Sequence, residues 1–198
     1  MPDRLTLGFD TSAAHCAAAL LRGDEVLAER QEEMTKGQAE RLMPLLEEML
    51  AEAGIGWQDL SVIGVGIGPG NFTGIRIAVA AARGLALALK IPAIGISATE
   101  SAAHGLPRPC RIQIPTRGDQ VIWQDFTAED RDAGRPQQAA TGALPPGPVP
   151  AAPAVPTAVA IARLAADRAD DNAPRPAPLY MRPADAAPAR DAPPVILP

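Results

Sequence analysis

Two short stretches carry the residue types that can do chemistry. Asp10-Thr11-Ser12 ends an apolar run and brings a carboxylate and two hydroxyls into one turn, a set suited to an anion or a metal ion. The second stretch is GVGIGPGNFTGIR from Gly64 to Arg76, with Gly64, Gly66, Gly68, Gly70 and Gly74 inside eleven residues. A GxGxxG fingerprint would need glycine at position 71 after Gly66 and Gly68, but Asn71 stands there; a P-loop would need a lysine before Ser or Thr, and none is present. What remains is glycine permitting close backbone approach, Pro69 stiffening the turn, and Thr73 placed to cap a helix whose first amides point back at the loop. Two readings stay open. Asp10, Thr11, Ser12, Gly68, Gly70, Thr73 and Gly74 form a nucleotide-phosphate site, vestigial or working, or the glycines only let a helix pack tightly against a sheet.

Other reactive residues are few. The two histidines, His15 and His104, and the two cysteines, Cys16 and Cys110, fit no metal-ligand spacing, so no metal site is expected and both cysteines should be free thiols. Cys16 beside His15 does not make a nucleophile and base, because neighbours in a strand point to opposite faces. No catalytic residue and no resident cofactor are expected.

The positions of apolar residues define the elements that must hold these stretches. Leu5–Phe9, His15–Leu21 and Val26–Gln31 read as three strands of an antiparallel meander. From Thr35 to Ala53, Ala39, Leu42, Met43, Leu46, Met49 and Leu50 recur at helical spacing, and Gly54 stands where the helix would stop. Ser61–Gly66 reads as a strand, Thr73–Leu89 as a helix and Ala93–Ile96 as another strand. Three antiparallel strands followed by helical crossovers give an α/β fold, a mixed sheet covered by helices, in the layout of ribonuclease H-like and actin-like ATPase domains. In the second helix Ala78, Ala82 and Ala86 lie four apart, with Ile75 and Val79 close to the same side, so both helices have more apolar surface than one sheet needs.

The second half differs in kind. Eighteen of the 22 prolines lie after residue 105, which leaves little room for sheet or long helix. Only RIQIPTRGDQVIWQDF, alternating around a turn at Arg117 to Asp119, and the helical Thr157–Ala169 read as ordered. The expected organisation is a first domain over residues 1–105, a small proline-rich and degenerate second domain over 106–176, and a tail over 177–198 that returns to the first domain. A formal charge of -5 and a pI near 5.0 exclude a chain that grips nucleic acid by itself. No run suits a signal peptide or a membrane span, so a cytoplasmic location is expected.

In order along the chain, FDTS, AERLMPLLEEML, GVGIGPGNFTGIRIAVAAARGLAL, IPAIGIS, IPTRGDQVIWQDF and PLYMRP resemble the bacterial TsaB (YeaZ) family. The match is nearly continuous from Leu5 to Ser97 and patchy beyond. Many relatives have histidine where Gln38 stands and aspartate where Pro115 stands. The resemblance implies a non-catalytic subunit of the complex that makes N6-threonylcarbamoyladenosine next to the anticodon of tRNAs reading ANN codons. It implies pairing with the catalytic paralogue TsaD, docking of the ATPase TsaE, a threonylcarbamoyl-adenylate supplied by TsaC, tRNA contact only through the complex, and homodimers when the protein is alone. Any ATP or ADP would bind weakly, at the interface of the complex. The expected interface is the two helices, through Ala39, Leu42, Met43, Leu46, Met49, Leu50, Ile75, Ala78, Val79 and Ala82, with Arg76 and Arg83 as charged contacts. Two rivals remain: an actin-like phosphotransferase or ATPase using the Asp10 turn and glycine loop, and a glycoprotease-like protein, for which no serine, histidine and acid set is visible.

Overall fold

The structure, a computed structural model, describes residues 4–128, 134–170 and 173–181. Strands β1 (Leu5–Asp10), β2 (His15–Arg22) and β3 (Glu25–Glu33) form the meander, followed by helix α1 (Gln38–Glu52), strand β4 (Val62–Gly66), helix α2 (Phe72–Leu89), strand β5 (Ala93–Ile96) and the short helix α3 (Ala98–Ala103). The sheet runs β3-β2-β1-β4-β5, with β1, β4 and β5 parallel and the two meander pairings antiparallel. This is the ribonuclease H-like order. Helix α1 starts three residues later than its apolar pattern suggests, because Gly37 takes a left-handed conformation at φ 92° and turns the chain into the helix.

Every residue of β1 is buried. Its front face, with Leu5, Leu7 and Phe9, joins Cys16, Ala18 and Leu20 of β2, Ile63 and Val65 of β4, and the inner sides of α1 and α2 in the main core. The back face of the sheet needs a cover of its own, and it comes from far along the chain. Helix α4 (Thr157–Arg168) places Ala158, Val159 and Ala162 on Ala17, Ala19 and Leu21, and Ile161 and Ala165 on Val62, Ile94 and Ile96. A Cβ on Gly8 would stand 2.6 Å from the Ala158 carbonyl oxygen, and one on Gly64 2.8 Å from both the Ala165 Cβ and the Ile161 carbonyl oxygen. Bare glycine backbone on the sheet against alanine on the helix lets the two layers approach closely. The expected division therefore needs correction: α4 falls inside the stretch read as a second domain, yet it completes the first.

The remainder of that stretch forms a three-stranded antiparallel sheet, β6 (Cys110–Pro115), β7 (Gln120–Phe126) and β8 (Gln137–Ala140), in the order β6-β7-β8. Sequence pattern misses β8, since QQAA has neither alternation nor β-branched residues. Arg111 explains how a proline-rich run is held here without regular structure. Its guanidinium pairs with both oxygens of Asp125, donates to the Pro145 carbonyl at 2.7 Å and lies 4.9 Å from the Trp123 ring centroid, while the Arg111 carbonyl accepts from the Ala151 amide. One charged side chain thus ties residues 145–151 to the sheet.

Helix α2, with 18 residues, is long and apolar enough by composition to cross a membrane, the one such helix among the described residues. Here Gly74, Ile75, Ala78, Val79 and Ala82 are buried against the sheet, so that apolar row serves as core.

If the Gly8 contact sets the spacing of sheet and α4, Gly8→Val will push the helix off the back face. Overpacking of this kind costs about 1–3 kcal/mol. Urea unfolding should show that loss, and a midpoint equal to wild type would mean that α4 is not seated on β1.

Candidate functional site

The carboxyl end of β1 meets the start of α2 in a single tight junction. Asp10, Thr11 and Ser12 are all buried, although each carries a polar side chain. The Asp10 Oδ2 atom accepts three hydrogen bonds: from the Ser12 amide at 3.1 Å, from the Ser12 hydroxyl at 3.0 Å and from His15 Nε2 at 2.8 Å. Oδ1 is buried without a partner among the described residues, directly above Gly66. The hairpin register pairs Asp10 with Ala17, which carries His15 back beside the turn. This ion pair went unseen in the sequence, where His15 reads as one more strand residue; hairpin register was the signal that could have found it.

The hydrogen bond to Asp10 raises the His15 pKa above its ordinary 6.5, against the opposing effect of burial, and the nearby Glu33 adds to the rise. Burial pushes the neighbouring Cys16 thiol up to about 11, with Glu32 adding to the rise. A thiol so hard to ionise is no nucleophile.

The glycine loop closes on this turn with its backbone. A Cβ on Gly70 would strike the Ser12 carbonyl oxygen, and one on Gly74 the Thr11 carbonyl oxygen. The Asn71 amide donates to Ser12 O at 2.6 Å, and the Thr11 hydroxyl donates to Gly74 O at 2.7 Å. The helix cap is Asn71, whose side chain accepts from the Gly74 amide at 3.0 Å; the expected cap, Thr73, lies one residue inside α2 and is exposed. Gly68, at φ 92°, faces Ile75 and the Leu179 carbonyl. Of the seven residues expected around a phosphate, Asp10, Thr11, Ser12, Gly70 and Gly74 come together, while Gly68 faces away and Thr73 is exposed. The groups nearest Gly70 and Gly74 are carbonyl oxygens and the nearby charge is a carboxylate, both of which repel phosphate, and no lysine reaches the loop.

The two helices present a different face from the one their spacing suggests. Leu42, Leu46, Met49, Leu50, Ile75, Ala78, Val79 and Ala82 are at most 3% exposed, all inside the chain's own fold, and Leu45 joins them. Met43 of α1 and Ile77, Ala81 and Leu85 of α2 are half-buried against the main core. The uncovered row runs along α2 through Phe72, Arg76, Ala80, Arg83, Gly84 and Leu87, with Phe72 44% and Leu87 77% exposed. Beside it α1 exposes Ala39, Glu40, Glu47 and Glu48.

The sheet order, the sealed junction at Asp10 and the open outer row of α2 can now be set against known proteins. The family model described as "TsaD: tRNA N6-adenosine threonylcarbamoyltransferase" matches residues 25–125. The TsaB protein of Escherichia coli (strain K12), a tRNA threonylcarbamoyladenosine biosynthesis protein, is 31% identical over 129 residues, 63% of this chain and 55% of that one. The chain belongs to the TsaB (YeaZ) family.

The TsaB protein of Buchnera aphidicola subsp. Schizaphis graminum is 32% identical over 127 residues, so the aligned part of this chain spans 60% of that relative. An uncharacterized protein of Mycobacterium tuberculosis (strain ATCC 25618 / H37Rv) is 31% identical over 199 residues, 92% of this chain and 93% of it. YeaZ from Pseudomonas aeruginosa has the same fold, at TM-score 0.71 and 25% identity over 89% of this chain and 99% of that one. The chain thus spans 60% and 55% of the length of the Buchnera and Escherichia coli TsaB proteins, and the family-model match runs from β3 into β7.

The Asp10–His15 pair makes stability depend on pH. A histidine whose folded pKa is raised contributes stability that is fully present below its unfolded value near 6.5 and lost as pH rises through the folded value. Comparing wild type with His15→Gln by thermal melts from pH 5 to pH 9 should give a difference that shrinks as pH rises. A difference independent of pH would show that His15 is not protonated in the fold.

Proposed function

We propose that this chain is a non-catalytic docking subunit of the machinery that makes N6-threonylcarbamoyladenosine in tRNA, and that it pairs with the catalytic paralogue TsaD. The observation that carries this reading is the outer row of α2. An apolar helix that buries one side in its own core and leaves Phe72, Ala80, Gly84 and Leu87 uncovered has the surface of a helix–helix contact. A Cβ on Gly84 would meet nothing within 4 Å, so a second helix can approach the backbone there. The half-buried Met43, Ile77, Ala81 and Leu85 would complete the contact, with Ala39, Arg76 and Arg83 at its edges.

The reaction itself falls to the partner in this reading. The one buried carboxylate at the junction is engaged by His15 and Ser12, the nearby thiol is held protonated, and the glycine loop is filled by backbone. The chain then acts by presenting a surface. The acidic net charge agrees with tRNA being held by the partner, and TsaE would join the assembled pair; when alone, the chain pairs with a second copy through the same row.

Sedimentation velocity of the chain with TsaD from the same source, followed by the tRNA modification assay with and without the chain, tests the proposal. A heterodimer and an activity that needs both proteins support it, and no association at micromolar concentration would sink it. Leu87→Asp should abolish association while leaving the melting temperature within a few degrees of wild type, since surface substitutions usually change stability by less than about 0.5 kcal/mol. Leu46→Asp should instead unfold the chain, because it buries an unpaired charge at a cost of several kcal/mol. The opposite pattern would return the interface to the inner side of α1.

A further inference from the structure

The outer row of α2 is finished at its N-terminal end by residues from the far end of the chain. The run from Ala173 to Met181 crosses the first domain in an extended path. Ala173 packs against the back core, Pro176 lies 3.3 Å from where a Cβ on Gly95 would stand, and the Leu179 amide donates to the Ile67 carbonyl at 2.8 Å. That last bond pins the run beside the glycine loop and delivers Tyr180 onto α2.

Tyr180 does more there than cover surface. Its ring lies 5.0 Å from the Phe72 ring at a tilt of 30°, and its hydroxyl accepts from Arg76 Nε at 2.9 Å. The Arg76 Cζ stands 3.8 Å from the Phe72 ring centroid and 5.9 Å from that of Tyr180. The guanidinium is therefore oriented through its plane and its Nε, while its two terminal nitrogens have no partner among the described residues. Arginine restrained in this way on an exposed helix row has lost most of its rotamer freedom before binding, so little more is lost when the fork is filled. The fork geometry matches a carboxylate.

Charge distribution identifies the occupant. Helix α2 has Arg76 and Arg83 and no acidic residue from Phe72 to Leu89, whereas α1 exposes Glu40 and Glu47, with Glu48 and Glu52 already paired to Arg41 and Arg30. A helix pair of the same family docked across α2 would bring acids of its first helix over these arginines. We infer that Arg76, positioned by Phe72 and by Tyr180 from the C-terminal run, is the anchor through which the docking face takes a carboxylate of the partner's helix pair. Residues 173–181 then belong to the docking site, and Tyr180 is a positioning residue. This rests on the docking reading above.

The experiment titrates TsaD into the full-length chain and its Arg76→Lys, Tyr180→Phe, Tyr180→Ala and Leu87→Asp variants, at low and high salt, with a melt of each variant. Arg76→Lys keeps the charge and loses the fork, and should weaken association by about tenfold or more. Tyr180→Phe should weaken it less than Tyr180→Ala, and the loss should shrink at high salt, which a purely structural role for the tyrosine would not produce. If Arg76→Lys and both Tyr180 variants bind as wild type does while Leu87→Asp fails, the anchor is wrong and the docking face stands. If Leu87→Asp also binds as wild type does, the docking face is wrong and the anchor falls with it.

Discussion

Strand β1 has no face that meets water, and the architecture follows from covering it. Six consecutive buried residues at the centre of a five-stranded sheet need apolar layers in front and behind. The front is supplied locally by α1 and α2. The back is supplied by α4, more than a hundred residues away in sequence, and the approach is close because Gly8 and Gly64 put bare backbone under Ala158, Ala162 and Ala165. A first domain cut from the chain at residue 105 would leave Ala17, Leu21, Val62 and Ile96 open to water, so α4 is structurally required although it lies in the proline-rich half.

The same economy of backbone explains the glycine loop. In an ATPase such a loop leaves amides free to meet phosphate. Here Gly70 and Gly74 are packed on the carbonyls of Ser12 and Thr11, and the Asn71 side chain takes up the Gly74 amide. The loop's glycines are needed, but by the protein itself: they seat α2 on the end of β1 at a distance that no side chain would allow. The Asp10 carboxylate, which in a working site would face a cation, has His15 beside it. A glycine loop of this kind can be required with no ligand bound, because it positions a helix.

Legibility in the sequence varied with how local the determining physics was. The meander, both front helices and the β6–β7 hairpin were readable, because alternation, helical spacing and the Arg117–Asp119 turn are each contained within a short window. The fold class followed from their order. What escaped reading was whatever depends on contact between distant segments: α4 covering the first sheet, β8 as an edge strand of QQAA, Asn71 taking the cap from Thr73, and His15 swinging onto Asp10. The burial of several residues expected at an interface was not legible for a related reason. Helical spacing identifies an apolar row without saying which side of the row faces the chain's own sheet, and Leu42, Leu46, Met49 and Leu50 lost that ambiguity only when β2 and the neighbouring helix α2 were placed against them.

An exposed Leu87 and Phe72 on a mostly apolar helix is costly to a protein that stays alone, since such a row invites nonspecific association. Two features blunt that cost without closing the face. The arginines at positions 76 and 83 interrupt the row with like charges, which oppose parallel stacking of identical helices, and the aromatic end of the row is occupied by Tyr180. Both features favour a partner that brings acids in register and disfavour one that brings only apolar surface. In the proposed pairing, specificity on this face comes from the charged and aromatic end of α2, while the small residues Ala80 and Gly84 set how near the partner can come.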